Sequence, residues 1–137
     1  MVTNLEFGEY CGITPKSDFD LAELVDHGLP TGSLSLLKDK GLSFSEISQI
    51  VIAPRTLKHR KARGESLSLE ETDRVVRVAR VIALAESIFV DPAKALLWLR
   101  TPDDRLANRN PMSLLQTEAG GRLVENILWQ IDEGVYS

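Results

Sequence analysis

Two S-x-x-E boxes, Ser43-Phe44-Ser45-Glu46 and Ser68-Leu69-Glu70-Glu71, constrain this chain more than any other feature. In such a box the serine accepts from the backbone N–H three residues on, and the glutamate reaches back to the serine's own N–H. Two orphan donors of a helix start are thereby satisfied reciprocally. The second box opens the longest periodic run in the sequence. Val75, Val78, Ala79, Ile82, Ala85 and Phe89 recur at helical spacing and form one apolar stripe.

Other starts and stops agree. Ser17 or Asp18 caps a helix reaching about Asp26, with Phe19, Leu21, Leu24 and Val25 apolar and Gly28 as terminator. Residues 31–40 form a short helix with Leu34, Leu36 and Leu37 inward and Gly41 after it. Behind the first box, Ile47, Ile50 and Val51 give a compact third helix, and Pro54 fits the first turn of a fourth that Gly64 ends. Asp91-Pro92 and Asn110-Pro111 repeat the cap-plus-proline signal, for a helix through Leu99 and a short turn through Leu115. Residues 101–110 read as a polar loop, and the last helix runs from about Thr117 to Glu133. No strand alternation, internal repeat or low-complexity tract interrupts this order. The class is all-α.

Residues 1–16, with Gly8, Gly12 and Pro15 and no sustained period, read as an irregular arm. A lone cysteine, Cys11, excludes an internal disulfide framework and suits a reducing cytoplasm. No N-terminal stretch has the pattern of a secretion signal. The most apolar run, residues 75–90, is broken by Arg77, Arg80 and Glu86 and falls short of the roughly 20 residues a bilayer span needs. The expectation is a cytoplasmic protein with no membrane partner.

The net charge of −4 argues against nucleic acid, but its distribution does not. Residues 1–53 hold three Lys/Arg against eight Asp/Glu, residues 54–64 five against none, and residues 65–137 eight against twelve. One basic block on an acidic body can mark a phosphate-facing surface. That block lies on the second of two short helices separated by residues 51–53, the spacing of a helix-turn-helix. Arg55, Thr56, Lys58, His59, Arg60, Lys61 and Arg63 are its candidate DNA-binding residues, with Leu57 as the inward anchor. Arg74, Arg77 and Arg80 extend this surface if the following helix lies alongside. The competing reading is a solvated basic face of a small bundle. A glycine commonly opens the turn of such motifs, whereas Val51 or Ile52 stands there, which leaves a distorted turn or a shifted register open.

The remaining inventory carries no catalytic or cofactor signature. His27 and His59 are far apart, and Glu23 one turn before His27 gives two candidate metal ligands without a third. Cys11 has no neighbouring base, and Gly120-Gly121 has neither the preceding strand nor the Lys-Ser/Thr of a phosphate loop. The expectation is a protein that is not an enzyme and uses no cofactor and no metal.

On a wheel of about 100° per residue, Leu123, Val124, Ile127, Leu128 and Ile131 share the inward arc of the last helix. Trp129 falls almost opposite, among Glu118, Arg122, Glu125 and Asp132. A large aromatic on a charged outer face is an interface anchor; the alternative is packing under a neighbouring element of the same chain. Trp98, amid Leu96, Leu97 and Leu99, reads as core.

Several of these residues form an ordered pattern. It comprises Arg55-Thr56-Leu57 with Arg60, Ser68 through Asp73-Arg74-Val75, and Trp98-Leu99 before a polar loop. Pro111-x-x-Leu114-Leu115-x-Thr117-Glu118-x-Gly120, Val124 and Gly134 complete it. In this pattern, over residues 42–137, the chain resembles the Xre/MbcA/ParS antitoxins, partners of RES-domain toxins. The resemblance implies an Xre/Cro-like helix-turn-helix DNA-binding domain at 17–67, within an N-terminal helical bundle. It also implies a small helical toxin-binding domain at 68–137. It further implies a toxin that degrades NAD⁺, obstructed at its active-site cleft by the antitoxin's chain end, and a dimer that binds its own operon's promoter. By matching position, toxin contact falls on Glu133, Gly134, Val135, Tyr136 and Ser137; Trp129 joins them from the wheel argument alone. The alternative function is a stand-alone transcriptional regulator or partition-type DNA binder whose C-terminal domain serves oligomerisation.

Overall fold

A computed structural model of the chain describes residues 7–134. Seven α-helices follow one another: α1 (Asp18–His27), α2 (Ser33–Asp39), α3 (Phe44–Ile50), α4 (Pro54–Ala62), α5 (Leu69–Phe89), α6 (Pro92–Arg100) and α7 (Glu118–Asp132). Three 3₁₀ turns, Gly8–Tyr10, Asp104–Leu106 and Pro111–Leu114, supplement them. Each expected cap is made. Ser17 accepts from Asp20 N–H, Asp91 from Ala93 N–H, Asn110 from Ser113 N–H and Thr117 from Gly120 N–H. Both capping boxes are complete, with Ser43 and Glu46 closing on α3 and Ser68 and Glu71 on α5.

Helix α5 is the axis of the molecule. The expected stripe is buried at Val75, Val78, Ala79, Ile82 and Ala85, but Val76, Val81, Ala83 and Leu84 are buried as well. A helix covered nearly all round is a core helix, and here α1, the Gly8–Tyr10 turn, α6 and α7 supply the cover. Among the described residues, no helix is long and apolar enough to cross a membrane.

Several local expectations change in three dimensions. From residue 7 on, the arm carries one short 3₁₀ turn and is core in side chain: Phe7 is fully buried, Tyr10, Cys11 and Ile13 nearly so, and Tyr10 Oη donates to Glu86 at 2.7 Å. The aromatic content of that segment packs against α5 without needing a periodic helix. Phe19, 74% exposed, faces out from α1 because the helix seats on Leu21, Leu24 and Val25 instead. The polar loop 101–110 is ordered by an Asp103–Arg109 bridge around the buried Leu106. Leu123 is 44% exposed, although the wheel put it inward. The buried face of α7 includes Gly120 and Gly121 beside Val124, Ile127 and Leu128, and these glycines turn the contact arc away from Leu123. The same rotation brings Trp129 partly against the core, half-buried rather than fully outward. Trp98 is also half-buried and stacks obliquely on Phe89, ring centroids 5.9 Å apart.

Candidate functional site

The α3–α4 pair is closed by residues 51–53. Val51 and Ile52 both donate to the Ile47 carbonyl, at 2.9 and 3.2 Å, and both side chains are buried. Val51 has φ −105° and Ala53 φ −63°, so no residue of this turn enters the left-handed region. A glycine is therefore not required, and two apolar residues can be spent on the core. From this turn α4 projects with none of its residues fully buried. Arg55, Lys58, His59, Lys61 and Arg63 are exposed; Thr56, Leu57 and Arg60 are half-buried, and Leu57 packs on the core as expected. Arg55, Lys58, His59, Ala62 and Arg63 surround a shallow hollow of about 270 Å³. Four exposed cationic side chains, Arg55, Lys58, Lys61 and Arg63, on or just after one short helix can neutralise several phosphates.

The arginines of α5 do not extend this surface, contrary to expectation. Arg77 is buried, donating to the Leu115 carbonyl at 3.2 Å and pairing with Asp73 at 2.6 Å and Glu118 at 3.5 Å. Arg80 pairs with Glu125 of α7 at 2.8 Å. Arg74 donates to the Val51 carbonyl at 3.1 Å and holds the turn. The reason is geometric: α7 lies along α5, where its Glu118 and Glu125 meet Arg77 and Arg80, while Arg74 is held at the α3–α4 turn.

Both box glutamates hold a second partner that sequence reasoning missed. Glu71 receives Arg60 Nε at 2.9 Å and Nη2 at 3.1 Å while also accepting from Ser68 N–H. Glu46 receives Arg100 Nε and Nη2, each at 2.8 Å, and Ser43 N–H at 2.9 Å; Arg100 also donates to the Gly41 carbonyl. Burial by itself would raise either carboxyl, but the arginine and serine hydrogen bonds outweigh it and hold both below the usual carboxylate range. Capping explains S-x-x-E fully, so the sequence offers no signal that the same carboxylate serves another element.

Helix α7 is fitted closely to its support. A Cβ on Gly120 would stand 2.0 Å from the Leu114 carbonyl oxygen, and one on Gly121 2.7 Å from Arg77 Cδ. This close approach accounts for the Gly-Gly pair. At the far end Glu133 and Gly134 are exposed, Gly134 with φ 81°. Val135, Tyr136 and Ser137 lie outside the described residues. Of the remaining candidates, His27 Nδ1 contacts the Glu23 backbone carbonyl rather than its carboxylate. Cys11 is buried, and that burial pushes its thiol up to about 12.

Residues 84–134 match the family model described as the antitoxin Xre/MbcA/ParS C-terminal toxin-binding domain. Residues 20–80 match the antitoxin Xre-like helix-turn-helix domain. An Antitoxin Xre of Pseudomonas putida is 36% identical over 118 residues, covering 86% of this chain and 74% of that protein. An Antitoxin Xre of Yersinia enterocolitica is 36% identical over 87 residues, 63% of this chain and 59% of that protein. A Prs ADP-ribosylating antitoxin of a Sphingobium species is 25% identical over 132 residues, 79% of this chain and 82% of that protein.

Proposed function

This chain belongs to the Xre/MbcA/ParS antitoxin family, and we propose that it neutralises an NAD⁺-degrading RES-domain toxin by presenting its C-terminal end to the toxin's active-site cleft. Such inhibition needs no chemistry, only a rigid helix end of suitable shape. The close seating of Gly120 and Gly121 on Leu114 and Arg77 carries this reading, because it fixes where α7 points. A helix whose seat is already fixed loses little conformational entropy on binding. The contacts in this reading are Glu133, Gly134, Val135, Tyr136 and Ser137, with the exposed part of Trp129 at their edge. Deleting residues 135–137 should leave the helical circular dichroism and its melting temperature unchanged and weaken protection of cells expressing the toxin. Full protection by the truncated chain would remove the plug.

In the same reading the helix-turn-helix represses the chain's own operon, acting as a homodimer within a larger toxin–antitoxin complex. The domain limits of the reading are 17–67 for DNA and 68–137 for toxin. The name of the Sphingobium relative favours a second version of the toxin's chemistry, transfer of ADP-ribose to a protein. Toxin-expressing cells deprived of the antitoxin discriminate the two: loss of the NAD⁺ pool without a modified protein supports degradation, and an ADP-ribosylated protein supports transfer.

A further inference from the structure

Arg60 differs from the other cations of α4. Its guanidinium commits Nε and Nη2 to Glu71, and Nη1 lies 3.6 Å from Glu65. The Glu71 side chain is only 9% exposed, and its Oε1 also accepts from Ser68 N–H at 2.8 Å. An arginine swung outward to a phosphate would leave that carboxylate nearly buried without its counter-charge, which is costly. Helix α4 also has few other attachments. Leu57 packs inward and Arg74 holds the preceding turn at Val51, so the last turn of α4 is fastened by Arg60.

We propose that Arg60 is a positioning residue: through Glu71 it fixes the rotation of α4 about its own axis, and Glu71 sets DNA affinity without touching DNA. This rests on reading α4 as the helix that meets DNA. Base edges are read by side chains aimed within narrow angular limits. A helix anchored only at its start would spread that aim. The phosphate contacts are left to Arg55, Lys58, Lys61 and Arg63, which are exposed.

The test uses the full chain and a duplex carrying its upstream region, with affinity measured at several KCl concentrations. Each phosphate contact contributes about one unit to the slope of log K against log salt. Lys58→Met should lower that slope by about one. Glu71→Gln and Arg60→Met should each weaken binding about tenfold with the slope unchanged, and the double variant should be no worse than either. Arg60→Lys keeps the charge but lacks the planar fork for Glu71, so it should lose affinity as Arg60→Met does.

The proposal is overturned if Glu71→Gln binds as tightly as the parent, or more tightly, while Arg60→Met loses slope as Lys58→Met does. Near-parental binding by Arg60→Lys overturns it equally, and decides alone should Glu71→Gln fail to fold. A parent chain that binds no duplex with any salt dependence refutes the DNA reading itself, and this inference with it; that outcome is distinct from a parent that binds and variants that do not respond.

Discussion

Helices α4 and α7 are both fastened to α5, but α4 buries none of its nine residues whereas α7 buries five of its fifteen. Charge holds α4 in place: Arg60 on Glu71, and Arg74 on the turn before it. Close approach and apolar contact hold α7, with Gly120, Gly121, Val124, Ile127 and Leu128 forming the seat. The difference suits the two tasks proposed for these helices. A helix that offers cations to a polyanion cannot bury much of itself, and a helix that presents its end to a cleft gains from having no play. It also means that the two are vulnerable to different changes, one to volume and the other to charge.

The strongest test of that contrast is Gly120→Ala. The added Cβ meets a backbone oxygen, which cannot swing aside as a side chain would. The expected loss is about 3 kcal/mol in urea unfolding, together with loss of toxin neutralisation; a loss below about 1 kcal/mol would mean that α7 can slide on its support.

Comparable in size is a matched pair of truncations. Leu128→Ala, at a fully buried position, should cost about 3 kcal/mol, and Leu57→Ala, half-buried on α4, about 1 kcal/mol. Equal losses would end the claim that α4 is lightly packed.

The smallest effect is acid sensitivity. Glu46 and Glu71 have folded-state values held below the ordinary 4.5. Their contribution is therefore complete above about pH 4.5 and disappears as pH falls through the lowered values. Amide hydrogen exchange at descending pH should show α3 and α4 losing protection before α7, and the Glu46→Gln/Glu71→Gln variant should lack that step. Earlier loss at α7 would reverse the comparison.

Much of this architecture is legible in the sequence because helix ends are local events. A cap involves residues three apart, and Ser17, Ser43, Ser68, Asp91, Asn110 and Thr117 all cap the helix or turn expected of them. The basic block was legible for the same reason, as charge runs are contiguous. Exposure was less so. Phe19 and Leu123 carry ordinary core side chains at helical spacing, and only the placement of neighbouring elements leaves them outside. The wheel for α7 counted side chains and therefore passed over two glycines, although a residue without a side chain allows the closest approach of all.

The sequence by itself determined an all-α chain, the start of every side-chain-capped helix, one basic helix and the family pattern, since each is written in residues a few positions apart. Only the tertiary structure decided that Glu46 and Glu71 each serve an arginine from another helix, that Arg77 and Arg80 belong to the α5–α7 contact, and that Phe7 is core. Those ion pairs join residues 11 to 54 positions apart, and no local spacing encodes them. They arise because α5, buried on nearly every side, brings distant segments to the same few ångströms.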